Sequence, residues 1–136
     1  MNLVDTGPLV ALIDRHDGNH ARCRAAAADL PDEPLLTTWP CFAEAMHLLH
    51  KAAGYSAQAA LWKFYTDKQL FLHDQTAKEI DRMIYLMDKY KDAPMDLADA
   101  SLIALAESKS MTKIFTLDSA FRFFRLANGI VLQVIP

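Results

Sequence analysis

Five carboxylates stand where the chain changes character: Asp5, Glu44, Asp96, Asp99 and Asp118. Asp5 ends the short apolar start Asn2 to Val4, and Asp118 follows the stretch Lys113 to Leu117. Asp96 and Asp99 open the apolar run Leu97 to Glu107, and Glu44 sits among Phe42, Ala43, Ala45 and Met46. Ionised carboxylates brought together repel, and one must take up a proton unless a cation is present. An all-oxygen donor set favours Mg2+ or Mn2+ over zinc. Mg2+ keeps several waters and takes few protein carboxylates, which leaves room for a substrate phosphate. Such a site acidifies water and stabilises charge on a phosphoryl group, and two ions about 3.5–4 Å apart clamp attacking and leaving oxygens. Phosphoryl chemistry follows, with phosphodiester hydrolysis as one form.

Each acid also has an ordinary reading. Asp5 can cap the helix after it, and Asp118 can cap Ser119 to Leu126. Asp96 can be an N-cap with Asp99 as its capping-box partner, although Glu or Gln is usual there. Glu44 and Asp99 are harder to explain this way: Glu44 has apolar neighbours in a helix expected to pack on the sheet, and the helix of Asp99 is otherwise apolar.

The elements that must position these acids alternate between strand and helix. Strands are expected at Asn2 to Val4, Leu35 to Thr38, Leu70 to His73, Lys113 to Leu117 and Ile130 to Ile135. Pro8 to Asp14 reads as a helix with Pro8 in its first turn. His20 to Leu30 is Ala-rich and stopped by Pro31, and Pro40 opens a helix that Gly54 is placed to end. Ser56 can cap the next helix, through Asp67. Ile80, Met83, Ile84 and Met87 have helical spacing within Thr76 to Tyr90. Leu97 to Glu107 is apolar on nearly every side and belongs in the interior. Ser119 to Leu126 is expected as a short helix. This alternation predicts an α/β fold with a parallel sheet covered on both faces. In such a sheet, sites form at the carboxyl ends of the strands. A crossover helix starts at that same edge, so all five acids are expected on one rim.

The chain has 136 residues, is 52% hydrophobic and 23% charged, and carries a formal net charge of −3. One globular domain over residues 1–136 is expected. The negative balance argues against a protein that grips nucleic acid chiefly through a basic surface. It does not exclude a nuclease, since bound cations reverse the sign of a carboxylate cluster. Lys109, Lys113, Arg122 and Arg125 read as solvated surface. No apolar run reaches the roughly 20 residues of a membrane helix, and Met1 to Asp5 does not read as a signal peptide. Cys23 and Cys41 suggest no disulfide framework, so a cytoplasmic location is expected.

Several other patterns compete. Glu44 and His47 form a Glu-x-x-His pair, but a di-iron bundle needs a second pair and two more Glu. His47 and His50 lack an evident third zinc ligand. The stripe of Met83, Tyr85, Met87 and Tyr90 reads as core or dimer contact. Trp39 and Trp62 could stack on RNA bases, although Trp at a core edge or partner interface is commoner. No Walker motif or GxGxxG is present. A metal-dependent phosphatase or phosphoryl transferase with a nucleophilic Asp usually has a second Asp two residues on, where this chain has Gly7. A non-catalytic module could keep the acids for an Arg-rich partner tail.

Together, Val4-Asp5-Thr6 before an apolar helix, Glu44, the run Leu97-Ala98-Asp99-Ala100, and Thr116-Leu117-Asp118 followed by Phe121 resemble a PIN domain. The resemblance covers nearly the whole chain, and the length is similar to that of VapC-type toxins of type II toxin–antitoxin pairs. It implies a three-layer α/β/α sandwich with a central, mostly parallel sheet. It implies a Mg2+- or Mn2+-dependent endoribonuclease acting on tRNA, rRNA or mRNA, a homodimer, and a small antitoxin whose tail enters the acidic groove. Asp5, Glu44, Asp99 and Asp118 match the family's acidic quartet, and Asp96 is an additional acid seen in some members. On this resemblance Asp5 and Asp99 bind metal, Asp118 and Asp96 complete the cluster, and Glu44 orients or deprotonates the attacking water. Thr6 and Thr116 match hydroxyl residues that line the site and are expected to touch substrate. Gly7-Pro8 departs from the small-then-apolar pair of many members, which puts the first helical turn in doubt but not the metal site.

Overall fold

Alternating apolar residues decide which side of the sheet each helix covers. In the computed structural model, which describes residues Met1–Pro136, β1 is Asn2–Leu3, followed by α1 (Thr6–Ile13) and α2 (His20–Asp29). Next come β2 (Leu35–Thr38), α3 (Trp39–Ala53), α4 (Tyr55–Thr66) and β3 (Leu70–His73). The chain continues through α5 (Ala77–Lys89), α6 (Leu97–Ser108), β4 (Lys113–Phe115), a 3-10 turn (Ser119–Arg122) and β5 (Gln133–Ile135). The strands pair in parallel as β1-β2-β3 and as β4-β5. A parallel bridge from Val4 to Phe115 joins the two groups, giving the spatial order β3-β2-β1-β4-β5.

Successive strand residues point to opposite faces. Leu3, Leu36 and Ile114 enter one core with Met83 and Leu86 of α5 and most of α6. Val4, Leu70 and Phe115 enter the other, with Leu9 of α1, Cys23 of α2, Phe42 and Leu49 of α3, and Leu61 of α4. Two helical layers therefore sandwich the sheet, as the alternation predicted. Leu102, Ile103 and Leu105 of α6 are fully buried, in keeping with a helix apolar all round.

Local details differ from the expectations. Ile80 and Ile84 are 46% and 66% exposed; α5 instead turns Met83, Leu86 and Tyr90 inward. Its only extensive helical neighbour is α6, so one stripe suffices. Ser56 does not cap α4. Gly54, at φ +73°, both ends α3 and precedes α4, and the Ser56 hydroxyl donates to the Ala53 carbonyl at 3.3 Å. The segment after Asp118 makes a single 3-10 turn, because Phe121 and Phe124 both plunge into the core. Phe124 lies two residues past that turn, and its ring meets that of Phe121 edge to face with centroids 5.5 Å apart. The last strand is shorter than Ile130 to Ile135, since the turn around Gly129 (φ +84°) ties the Leu126 N–H to the Ile130 carbonyl.

Candidate metal centre

Backbone pairing at the carboxyl edge sets the first acid. The Asp5 N–H donates to the Phe115 carbonyl at 2.9 Å, so Asp5 leaves the sheet between β1 and β4. Its Oδ1 accepts from the Thr6 N–H and its Oδ2 from the Thr116 hydroxyl, both at 2.7 Å. The Thr116 Oγ1 in turn accepts the Asp118 N–H at 3.0 Å. One buried hydroxyl thus ties two acids that are far apart in sequence.

The helix-cap readings hold alongside the site. Asp118 Oδ1 accepts from the Ala120 N–H at 2.9 Å and caps the 3-10 turn. Asp96 Oδ1 accepts from the Asp99 N–H at 2.8 Å, and Asp99 Oδ2 accepts from the Asp96 N–H at 3.2 Å. The box forms with Asp in the place usually held by Glu. A carboxylate has about four lone-pair positions, so capping leaves each group able to bind something else. Glu44 lies on α3 and makes no hydrogen bond or ion pair of its own, but its residue is exposed rather than packed on the sheet. The helix buries Phe42, Ala45 and Leu49; Glu44 falls on the other side, over the rim.

All five acids meet. Asp5, Glu44, Asp96, Asp99 and Asp118 line one cavity of about 290 Å3, together with Thr6, Gly7, Leu48, Ala98 and Leu117. None of the five is in an ion pair, and no lysine or arginine lines that cavity. The electrostatic consequence is visible in three of them. Asp99 is pushed up to about 8, first by burial and then by the charges of Asp96 and Asp5, against a lowering backbone hydrogen bond at Asp96. Burial raises Asp5 despite hydrogen bonds from Thr116 and Thr6, and Asp118 and Asp96 add to the rise. Burial, Asp96 and Asp5 all raise Glu44. A cation in the cavity would reverse each of these shifts.

The donors are all oxygen, as Mg2+ or Mn2+ requires. No three of the acids converge into a closed cage around one point. This arrangement suits an ion held by one or two carboxylates with water filling its other positions.

Both threonine hydroxyls are engaged within the protein. Thr116 is 1% exposed, and its hydroxyl is committed to Asp5 and Asp118. Thr6 reaches the cavity wall, but its hydroxyl donates to the Cys41 carbonyl at 3.3 Å. Gly7 also forms wall; a Cβ there would meet the Leu117 side chain at 3.5 Å, an ordinary contact. The departure at Gly7-Pro8 therefore leaves α1 intact, with Pro8 buried in its first turn. Sequence reasoning passed over Leu48 and Leu117. Leu48 lies four residues after Glu44, and that spacing was its available signal.

Comparisons with known proteins agree with this architecture. A family model described as PIN domain matches residues 3–127. Ribonuclease VapC26 of Mycobacterium tuberculosis is 27% identical over 135 residues, covering 98% of this chain and 99% of that protein. The crystal structure of Mycobacterium tuberculosis VapC20, described as a Sarcin-Ricin loop cleaving toxin, superposes with a TM-score of 0.84 at 19% identity, over 100% of both chains. VapBC2 from Rickettsia felis, solved bound to a DNA fragment from its promoter, gives a TM-score of 0.67 at 14% identity, over 99% of this chain and 98% of that one. With a matching model over most of its length and the acidic rim in place, the chain belongs to the PIN domain family.

Proposed function

We propose that this chain is a metal-dependent endoribonuclease, with Mg2+ or Mn2+ as its ion, and the toxin of a type II toxin–antitoxin pair. The observation that carries the reading is the cavity in which five unpaired carboxylates meet. Similarity to a VapC ribonuclease over nearly the full length of both proteins supports RNA as the substrate class. A bound divalent cation supplies charge stabilisation at the phosphoryl oxygens and acidifies water.

In this reading Asp5 and Asp99 would hold the cation, with Asp118 and Asp96 completing the cluster directly or through water. Thr116 fixes the direction of the Asp5 carboxylate. The raised Glu44 carboxylate receives the proton of the attacking water, because it is the acid with no capping duty. A bound cation would favour the ionised form of Asp99, opposing the rise that burial and its acidic neighbours cause. The partner is a small antitoxin, the working form is a homodimer, and the location is the cytoplasm. No helix is long and apolar enough to cross a membrane.

The test is cleavage of a mixed RNA pool by purified protein with Mg2+ or Mn2+, with EDTA, and beside Asp5→Asn and Asp99→Asn variants. Metal-dependent cleavage that both variants lose while staying folded is the expected result. Cleavage retained by a folded Asp5→Asn protein would sink the assignment. For the toxin role, slow growth on expression alone and rescue by the product of a neighbouring short gene are expected; harmless expression at full yield counts against it.

A further inference from the structure

α3 does not end its part in the site at Glu44. Glu44, His47, Leu48 and Lys51 are spaced i, i+3, i+4 and i+7, which places them on one face of a helix. All four residues are exposed, while Phe42, Ala45 and Leu49 are buried on the opposite side. The first turn of this face belongs to the acidic cavity, because both Glu44 and Leu48 line it. Seven residues of helix span about 10 Å, so Lys51 stands that far along the axis from Glu44. Neither Lys51 nor His47 forms an ion pair or side-chain hydrogen bond, unlike Lys63, which pairs with Asp67 at 2.8 Å. The residues between the acids and Lys51 carry no carboxylate.

We infer that this face of α3 is the exit path of the RNA backbone, with Lys51 binding a phosphate beside the scissile one and His47 donating a ring N–H to the same stretch. The inference rests on the ribonuclease reading for its polymer. Its physical need is plain. A cavity of five acids repels a polyanion except where a cation is bound, so the flanking phosphates need a cation nearby. Lys51 is the cation continuous with the cavity wall. The ordinary alternative is that Lys51, in the last turn of α3, only complements the helix dipole. That role predicts a change in stability and none in RNA affinity.

The experiment is binding of a labelled single-stranded RNA oligonucleotide across a salt series, measured with Mg2+ for the Glu44→Gln protein, which keeps the acids that would hold the ion, with and without Lys51→Gln. Cleavage kinetics are run in parallel on the wild-type background, and Lys78→Gln, on α5 across the sheet, serves as the control. Loss of one phosphate contact flattens the slope of log affinity against log salt by about 0.7. The expected result is that flattening, with a KM raised several-fold and kcat within twofold, for Lys51→Gln and not for Lys78→Gln. If the wild-type protein cleaves but Lys51→Gln binds with unchanged affinity and slope, the exit path is wrong and the ribonuclease reading stands. If RNA binds with the expected Lys51 dependence but nothing is cleaved, the path stands and the catalytic reading fails. RNA that does not bind at all overturns both.

Discussion

Thr116 carries no charge, yet its hydroxyl donates to the Asp5 carboxylate and accepts the Asp118 N–H. Groups that hold a metal ligand in place typically matter 10–100-fold to metal affinity. Thr116→Val therefore lowers Mn2+ affinity by roughly that factor, read by calorimetry, and Thr116→Ser restores it; equal affinity in all three proteins would mean that Asp5 needs no second anchor. Asp99 gives a pH prediction at the same scale. Its ordinary value is 3.8, and in the fold it is raised to about 8. A raised carboxylate favours the folded state while it is protonated there, so the contribution is complete below about pH 3.8 and is lost as pH climbs to about 8. Asp5 and Glu44 shift in the same direction. The metal-free protein should lose melting temperature between pH 4 and 8, and Asp99→Asn should lose less. Parallel curves for the two proteins would count against the shift.

Helix ends are where this chain spends its special residues. Asp5, Asp96 and Asp118 are caps that also line the acidic cavity, so the peptide N–H groups that need caps also bring the carboxylates to the rim. By contrast, the capping box at Thr76 and Glu79 is free of the cavity. Burial works to raise Glu79, but bonds from His73 and Thr76 hold it below its ordinary value. Thr76→Ala should cost about 1 kcal/mol in urea unfolding without altering cleavage. Gly54 joins α3 to α4 at φ +73° and ψ −158°, a region nearly closed to other residues. A Cβ there meets nothing within 4 Å, so Gly54→Ala carries only the backbone penalty, about 1–3 kcal/mol. A loss near zero in denaturant midpoint would show that the junction relaxes.

At the scale of the whole molecule, a buried polar seam holds the layers in register beneath the site. The Thr38 and Ser101 hydroxyls meet at 2.6 Å, and Ser101 also donates to the Ala98 carbonyl at 2.7 Å. The Thr37 hydroxyl reaches the Val4 carbonyl at 2.7 Å. These bonds link the end of β2 to the opening of α6 and to β1, and so set Asp99 against Asp5. Ser101→Ala leaves the Thr38 hydroxyl short of a buried partner, at a cost of about 1–3 kcal/mol. The double variant with Thr38→Val should cost less than the sum of the singles, because it removes the orphaned group. A strictly additive cycle would mean that the two hydroxyls do not depend on each other.

The sequence by itself determined the order of the elements, the parallel sheet and the rim. Apolar periodicity is local, and a parallel sheet must send every strand's carboxyl end, and every crossover helix's start, to one edge. Hence Asp5, Glu44, Asp96, Asp99 and Asp118 could all be placed on one rim from the sequence. What the periodicity left open depended on partners distant along the chain. Ile80 and Ile84 look as inward-facing as Met83 until α6 is seen to be the one helix packed closely on α5. Glu44 drew attention for its apolar neighbours in a helix that packs on the sheet, and the tertiary structure shows that it occupies the exposed face of α3, where it lines the cavity. Thr116 reads as a hydroxyl that lines the site, and only the meeting of β1 with β4 turns it inward as the anchor of Asp5. Spacing along a chain fixes which side of an element a residue occupies; what lies against that side is settled by packing.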